Sequence, residues 1–189
     1  MSTLKAFLDA AKSVISLGAA TNAGARKEIR DVVGELADEL DRALGMADGY
    51  LGGARYSRDD AELVQYLARA RGALMDGFHE HHVCAGLYQL ADRFGQVFDP
   101  TKFSVSLASF HEIPQLIGHL KNGERAVIDD LQEIVAEMDS FAAALHGAAP
   151  AQAHAVRADA LAAVVRRRAE LRARRAELTA MRRRVMDEM

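Results

Sequence analysis

Three features of this sequence predict an all-α protein. Apolar residues recur at three- and four-residue spacing along most of the chain, alanine and leucine dominate its apolar half, and strand-type alternation of β-branched residues is absent. Alanine loses no side-chain entropy in a helix, and the accompanying Leu, Arg, Glu and Met are also good helix formers. With 189 residues, no Trp and only three Pro, the chain is long enough for one sizeable core and has few obligatory breaks. The expected architecture is an up-and-down bundle of four to five long amphipathic helices followed by a long Arg-rich C-terminal helix.

Taken in chain order, a first short helix is expected over about Thr3 to Leu17. Leu4, Phe7, Leu8, Ala11, Val14 and Ile15 share one face, and Gly18 stops it. Thr21 or Asn22 caps a second helix, whose apolar positions run from Ile29 through Leu36, Leu40 and Leu44 to Leu51 before Gly52-Gly53. Gly45, Gly49 and Gly52 near one face of its last turns imply close approach of another backbone.

Ser57 with Asp60 resembles a capping box that opens a third helix. The rhythm then continues for about forty residues, from Leu63 to Phe98, with a possible kink at Gly77 and a stop at Asp99-Pro100. A connecting segment follows over Lys102 to His111. Pro114 opens the next helix, and Val127, Leu131, Ile134, Met138, Phe141 and Leu145 give the cleanest heptad, with Gly123 as a bend.

The domain reading is an acidic bundle over 1–147, a linker over 148–156 containing Pro150, and a basic helix over 157–189. Up to Val156 the chain carries 14 basic and 22 acidic residues. From Arg157 onward it carries ten Arg against Asp159, Glu170, Glu177, Asp187 and Glu188. The tail has no Gly, Pro or aromatic residue, so it reads as one helix of roughly 33 residues and ~50 Å.

Candidate chemistry is sparse. His79, His81, His82 and Cys84 are the usual ligand types of zinc, but on a helix they fall on two faces, and a closed site needs further ligands such as His111, Glu112 or His119. The expectation is no metal, no cofactor and no catalytic constellation, with His81 and Cys84 as packing residues. Asp76-x-x-His79 is the nearest approach to a di-metal carboxylate motif, and no Gly-rich phosphate loop is present. The single Cys84 precludes an intramolecular disulfide and suits a cytoplasmic protein. No apolar run approaches the ~20 residues that span a bilayer.

The tail carries the strongest interaction signal. Val164, Leu171, Leu178 and Val185 repeat every seven residues, with Leu161 and Met181 adjoining, and Arg168, Arg175 and Arg182 flank them. Such a coiled-coil stripe needs a partner that also neutralises its arginines. The acidic body, in cis or in a neighbouring copy, meets both needs.

The expected function is therefore a non-enzymatic helical interaction or assembly protein that self-associates or binds another helical protein. The alternative is a membrane-acting bundle engaging an anionic membrane through helix one or the basic tail. A metal-binding helical protein is third. Nucleic acid is disfavoured by the acidic body and the lack of stacking aromatics in the tail, and no small-molecule substrate suggests itself.

Overall fold

The computed structural model describes residues 5, 8, 9, 12, 23–76, 92, 93, 96, 118 and 123–188. Four α-helices are seen among them: α1 (Ala23–Gly53), α2 (Asp60–Ala68), α3 (Gly123–Gly147) and α4 (Pro150–Glu188). A 3-10 turn (Ala54–Tyr56) links α1 to α2, and a π-helical turn (Gly72–Asp76) follows α2. The fold is all-α, with no strand among the described residues.

Two long helices make the frame. α1 lies along α4, and α3 packs on both α2 and α4 while the π turn bridges α3 and α1. Each helix buries the face its periodicity predicts. On α1 these residues include Val32, Leu36, Leu40, Leu44 and Leu51. On α3 they include Val127, Leu131, Ile134, Met138 and Leu145, and on α2 Leu63 and Leu67. They join one core with Leu8, near the N-terminus. Burying a Leu or Val stabilises by about 1.5–3 kcal/mol, so this shared core is the principal force behind the bundle.

Local chemistry refines several boundaries. α1 ends at Gly53, as the glycine pair predicts. Gly53 also admits the Tyr66 side chain, since a Cβ there would lie 2.2 Å from its hydroxyl oxygen. Tyr50 and Tyr66 stack with ring centroids 4.8 Å apart. The Tyr50 hydroxyl donates to the Tyr66 carbonyl at 2.7 Å, and the Tyr66 hydroxyl donates to the Tyr50 carbonyl. This reciprocal pair staples α1 to α2 across the turn. Burial pushes the Tyr50 phenol up to about 12, with Tyr66 contributing, and burial raises Tyr66 as well.

The start of α2 is capped at Asp59 and not by the expected Ser57 and Asp60 pair. Asp59 is the N-cap and accepts from the Glu62 backbone N–H at 2.8 Å, while the Glu62 carboxylate accepts from the Arg58 N–H at 2.7 Å. Ser57 is buried, and its carbonyl accepts from Arg157 of α4 at 2.6 Å. The long third helix also differs from expectation: α2 closes at Ala68, and the chain widens into the π turn before position 77.

The 148–156 linker contracts to Ala148 and Ala149, the only non-helical residues there. Pro150 begins α4, because its missing N–H would have no helical acceptor and its φ is already suitable. α4 is accordingly 39 residues long rather than roughly 33, about 58 Å at 1.5 Å per residue, and Arg157 lies well inside it. The expected cap at Thr21 or Asn22, the kink at Gly77, the Asp99-Pro100 stop and the Pro114 helix start lie outside the described residues, as does most of helix one.

Candidate interaction surface

α4 shows on its inner side why a narrow stripe suffices. Val164, Leu171, Leu178, Met181 and Val185 are buried together with Ala160 and Ala163, and Leu161 packs partly buried against the same core. The heptad found in the tail is thus covered by this chain's own helices. Arginines line both sides of it.

On the α1 side the arginines form a ladder. Arg168 Nε donates to Asp48 at 2.7 Å, and Arg172 Nε donates to the other Asp48 oxygen at 3.1 Å. Arg175 makes a two-toothed fork on Asp41, with Nε at 2.7 Å and Nη2 at 2.9 Å, and Arg182 Nη1 donates to Asp38 at 2.7 Å. From Arg168 to Arg175 the ladder advances seven residues along α4, and from Asp48 to Asp41 it retreats seven along α1, which fixes the two helices as antiparallel. The third rung shifts, because the position seven before Asp41 is Gly34 and Asp38 supplies the carboxylate instead.

Glycines make room for this ladder. A Cβ at Gly52 would sit 2.9 Å from the Arg168 guanidinium, and one at Gly45 3.4 Å from that of Arg175. The close approach implied by these glycines is therefore to arginine side chains, not to another backbone. Gly49 has nothing within 4 Å and faces outward.

Electrostatics follow the geometry. Burial alone would push the Asp48 carboxyl up, but the hydrogen bonds from Arg168 and Arg172 outweigh it and hold it below the usual carboxylate value. The hydrogen bond from Arg175 holds Asp41 low, and Asp41 in turn raises Arg175.

On the α3 side Arg167 is the centre. Its Nε donates to Glu137 at 2.5 Å, Nη2 to Glu133 at 2.8 Å and Nη1 to Glu170 at 3.0 Å, while Arg166 also donates to Glu137. Burial disfavours the Arg167 charge, yet these carboxylates overcompensate and raise its pKa. Near the start of α4, Arg157 donates to Asp60 at 3.0 Å as well as to the Ser57 carbonyl. Arg174 Nη1 donates to Glu177 at 2.7 Å, and its Nε is buried without a partner.

Every interaction residue expected in the tail is thus placed. Leu161, Val164, Leu171, Leu178 and Val185 pack inward, and Arg168, Arg175 and Arg182 meet α1. Sequence reasoning missed Arg157, Arg166, Arg167 and Arg172, and it did not name the acceptors. Asp41 and Asp48 are seven apart and Glu133 and Glu137 four apart, each a one-face spacing that pointed to them.

His79, His81, His82 and Cys84 lie outside the described residues. Within the described residues no group of three His, Cys, Asp or Glu side chains is arranged to hold a metal, and no helix is long and apolar enough to cross a membrane. An open cleft of about 540 Å³ lies between α2 and the end of α3, lined by Asp60, Ala61, Val64, Gln65, Leu145 and His146. Asp60 of this lining is engaged by Arg157. Comparison with protein-family models, curated proteins and solved structures finds no match to this chain.

The outer side of α4 differs in kind from the inner. Ala151, Ala155, Ala158, Ala162, Val165, Ala169, Ala173, Ala176 and Ala180 recur every three or four residues, and all are exposed. Val165 has 67% of its surface open to water. α4 therefore has two apolar faces on opposite sides, one covered by α1 and α3 and one covered by no described helix.

Proposed function

We propose that this chain is a non-enzymatic helical assembly protein that works by helix-on-helix association, either with itself or with another helical protein. The observation that carries this reading is the second apolar face of α4. The ladders to α1 and α3 fix that helix rigidly along its length and leave its alanine face outward. A rigid, presented helix face is a ready docking element, because no ordering entropy remains to be lost by its backbone on binding. The single Cys84 supports a cytoplasmic setting.

The reading moves the contact from where the sequence placed it. Leu161 to Val185 act in cis, and association uses the opposite side of the same helix. Multi-angle light scattering of the full chain across a concentration series tests it. A species heavier than the 20.5 kDa chain is expected. A strict monomer at every concentration, together with no capture of any helical partner, would overturn it.

A further inference from the structure

The inner side of α4 comes close to being a zipper for a second copy of itself. Counted from its buried residues, Val164, Leu171, Leu178 and Val185 hold the first core position of the heptad, a, while Ala160, Arg167, Arg174 and Met181 hold the second, d. The flanks suit a parallel two-stranded pairing, in which each g position meets the e position five residues further on in the other strand. Glu170 would then lie against Arg175 of the partner subunit, and Glu177 against Arg182 of the partner subunit. Of these d positions the two central ones oppose such a zipper, because both are arginine.

Within the chain these two side chains are enclosed, with 12% of Arg167 and 19% of Arg174 open to water. Arg167 finds its acceptors chiefly on another helix, Glu133 and Glu137 of α3, beside Glu170 of its own. Arg174 donates to Glu177, and its Nε is buried without a partner. In a parallel pair of α4 helices the d layers stack on the axis, so each arginine meets its own counterpart, away from the carboxylates of α3. The nearest acids, Glu170 and Glu177, are those that the flanking Arg175 and Arg182 would need. Enclosed like charges without their own acceptors disfavour the pair. An antiparallel pair is disfavoured by its flanks, since e then meets e and Arg168, Arg175 and Arg182 face one another.

We propose that Arg167 and Arg174 are the specificity-determining residues of α4: they commit its leucine stripe to the acidic helices of the same chain and bar it from a parallel zipper with a second copy. Apolar residues at these two positions would make a stronger seam but not a selective one. This selection holds whether the chain is otherwise a monomer or associates through the outer side of α4.

Sedimentation velocity on the full chain over a dilution series, with the parent alongside, tests it. Arg167→Leu with Arg174→Leu completes the apolar seam and is expected to give a species of twice the parent's mass, which persists to concentrations about tenfold or more below those at which any parent oligomer dissociates. Arg167→Gln with Arg174→Gln removes the same ion pairs without adding apolar surface, and should sediment as the parent does. Adding Glu170→Arg and Glu177→Arg to the leucine pair sets like charges along both flanks of the parallel zipper and should abolish the new species. Circular dichroism checks that each variant keeps its helix, and a leucine pair that loses it is replaced by Arg174→Leu alone, which leaves the contacts of Arg167 with α3 intact. Leucine variants that sediment as the parent would overturn the proposal. Equal association of the glutamine pair would overturn it as well, since loss of the ion pairs would then be the cause. A new species unmoved by the glutamate changes would overturn the parallel pairing. The mass of the parent itself bears only on the assembly reading above.

Discussion

Asp48 is the residue on which the docking of α4 depends most, and its removal has a size that the structure sets. It is 8% exposed and accepts from two guanidinium groups, of which Arg168 is the more enclosed, with 18% of its side chain open to water. A hydrogen bond to a charged group contributes about 1.5–3 kcal/mol, and the Arg172 bond, from a side chain 58% exposed, adds about 0.5 kcal/mol. Part of this is offset, because Asp48→Ala also removes the desolvation of the carboxylate and gains helix propensity. The expected loss is about 2 kcal/mol.

Asp38→Ala is the matched control. It removes the same side chain from the same helix, but its pair with Arg182 is open to water at 52% and 54%, so the loss is about 0–0.5 kcal/mol. Urea unfolding followed by circular dichroism measures both, with an unchanged m-value as the check that the unfolding reaction is the same. If the two variants fall within 0.5 kcal/mol of each other, the enclosure of the upper rung contributes nothing and the ladder reasoning fails.

The same carboxylates fix an acid limb. Asp41 and Asp48 have folded pKa values below the usual 3.8, so their contribution is complete above that value. It is lost as pH falls through the folded pKa. Asp41→Asn with Asp48→Asn therefore flattens the decline in stability below about pH 4 while lowering the plateau at neutral pH, read from urea midpoints at each pH.

At the tyrosine staple the sign reverses: the neutral phenol of Tyr50 is favoured up to about 12, so its contribution is full below pH ~10 and lost above. Tyr50→Phe should remove the highest step in an ultraviolet titration. Gly53→Ala places a methyl 2.2 Å from the Tyr66 hydroxyl oxygen and should cost about 1–3 kcal/mol, whereas Gly49→Ala, with nothing within 4 Å, should gain about 0.5–1 kcal/mol. Thermal melts of the pair decide whether these glycines differ as described. Asp59→Ala should cost about 1 kcal/mol as loss of an N-cap; if instead no change is seen, the Asp59 cap has no stabilising role.

Much of the fold was legible in the sequence because helical periodicity is local. The core faces of α1 and α3 and the inner stripe of α4 followed from three- and four-residue spacing alone. So did the excess of positive charge in α4 over an acidic body, and with it the expectation that the two would meet. Single residues were less legible. Ser57 and Asp60 have the spacing of a capping box, but so do Asp59 and Glu62 two residues later. The structure chooses Asp59, whose side chain accepts from the Glu62 backbone N–H.

The alanine face of α4 was present in the sequence but unreadable as a face, since alanine is also the commonest filler of any helix. It became a surface once the leucine stripe was seen to be covered and the helix was fixed in rotation by its ladders. The sequence by itself determined that the chain is helical, which residues are apolar on each helix, and that α4 carries the charge opposite to the body. Tertiary structure decided that α4 docks in cis, that Asp48, Asp41 and Asp38 receive its arginines, and which side of it stays open. The physical reason is that periodicity sets what a helix offers, whereas pairing depends on groups more than a hundred residues apart, whose register exists only after the helices have packed.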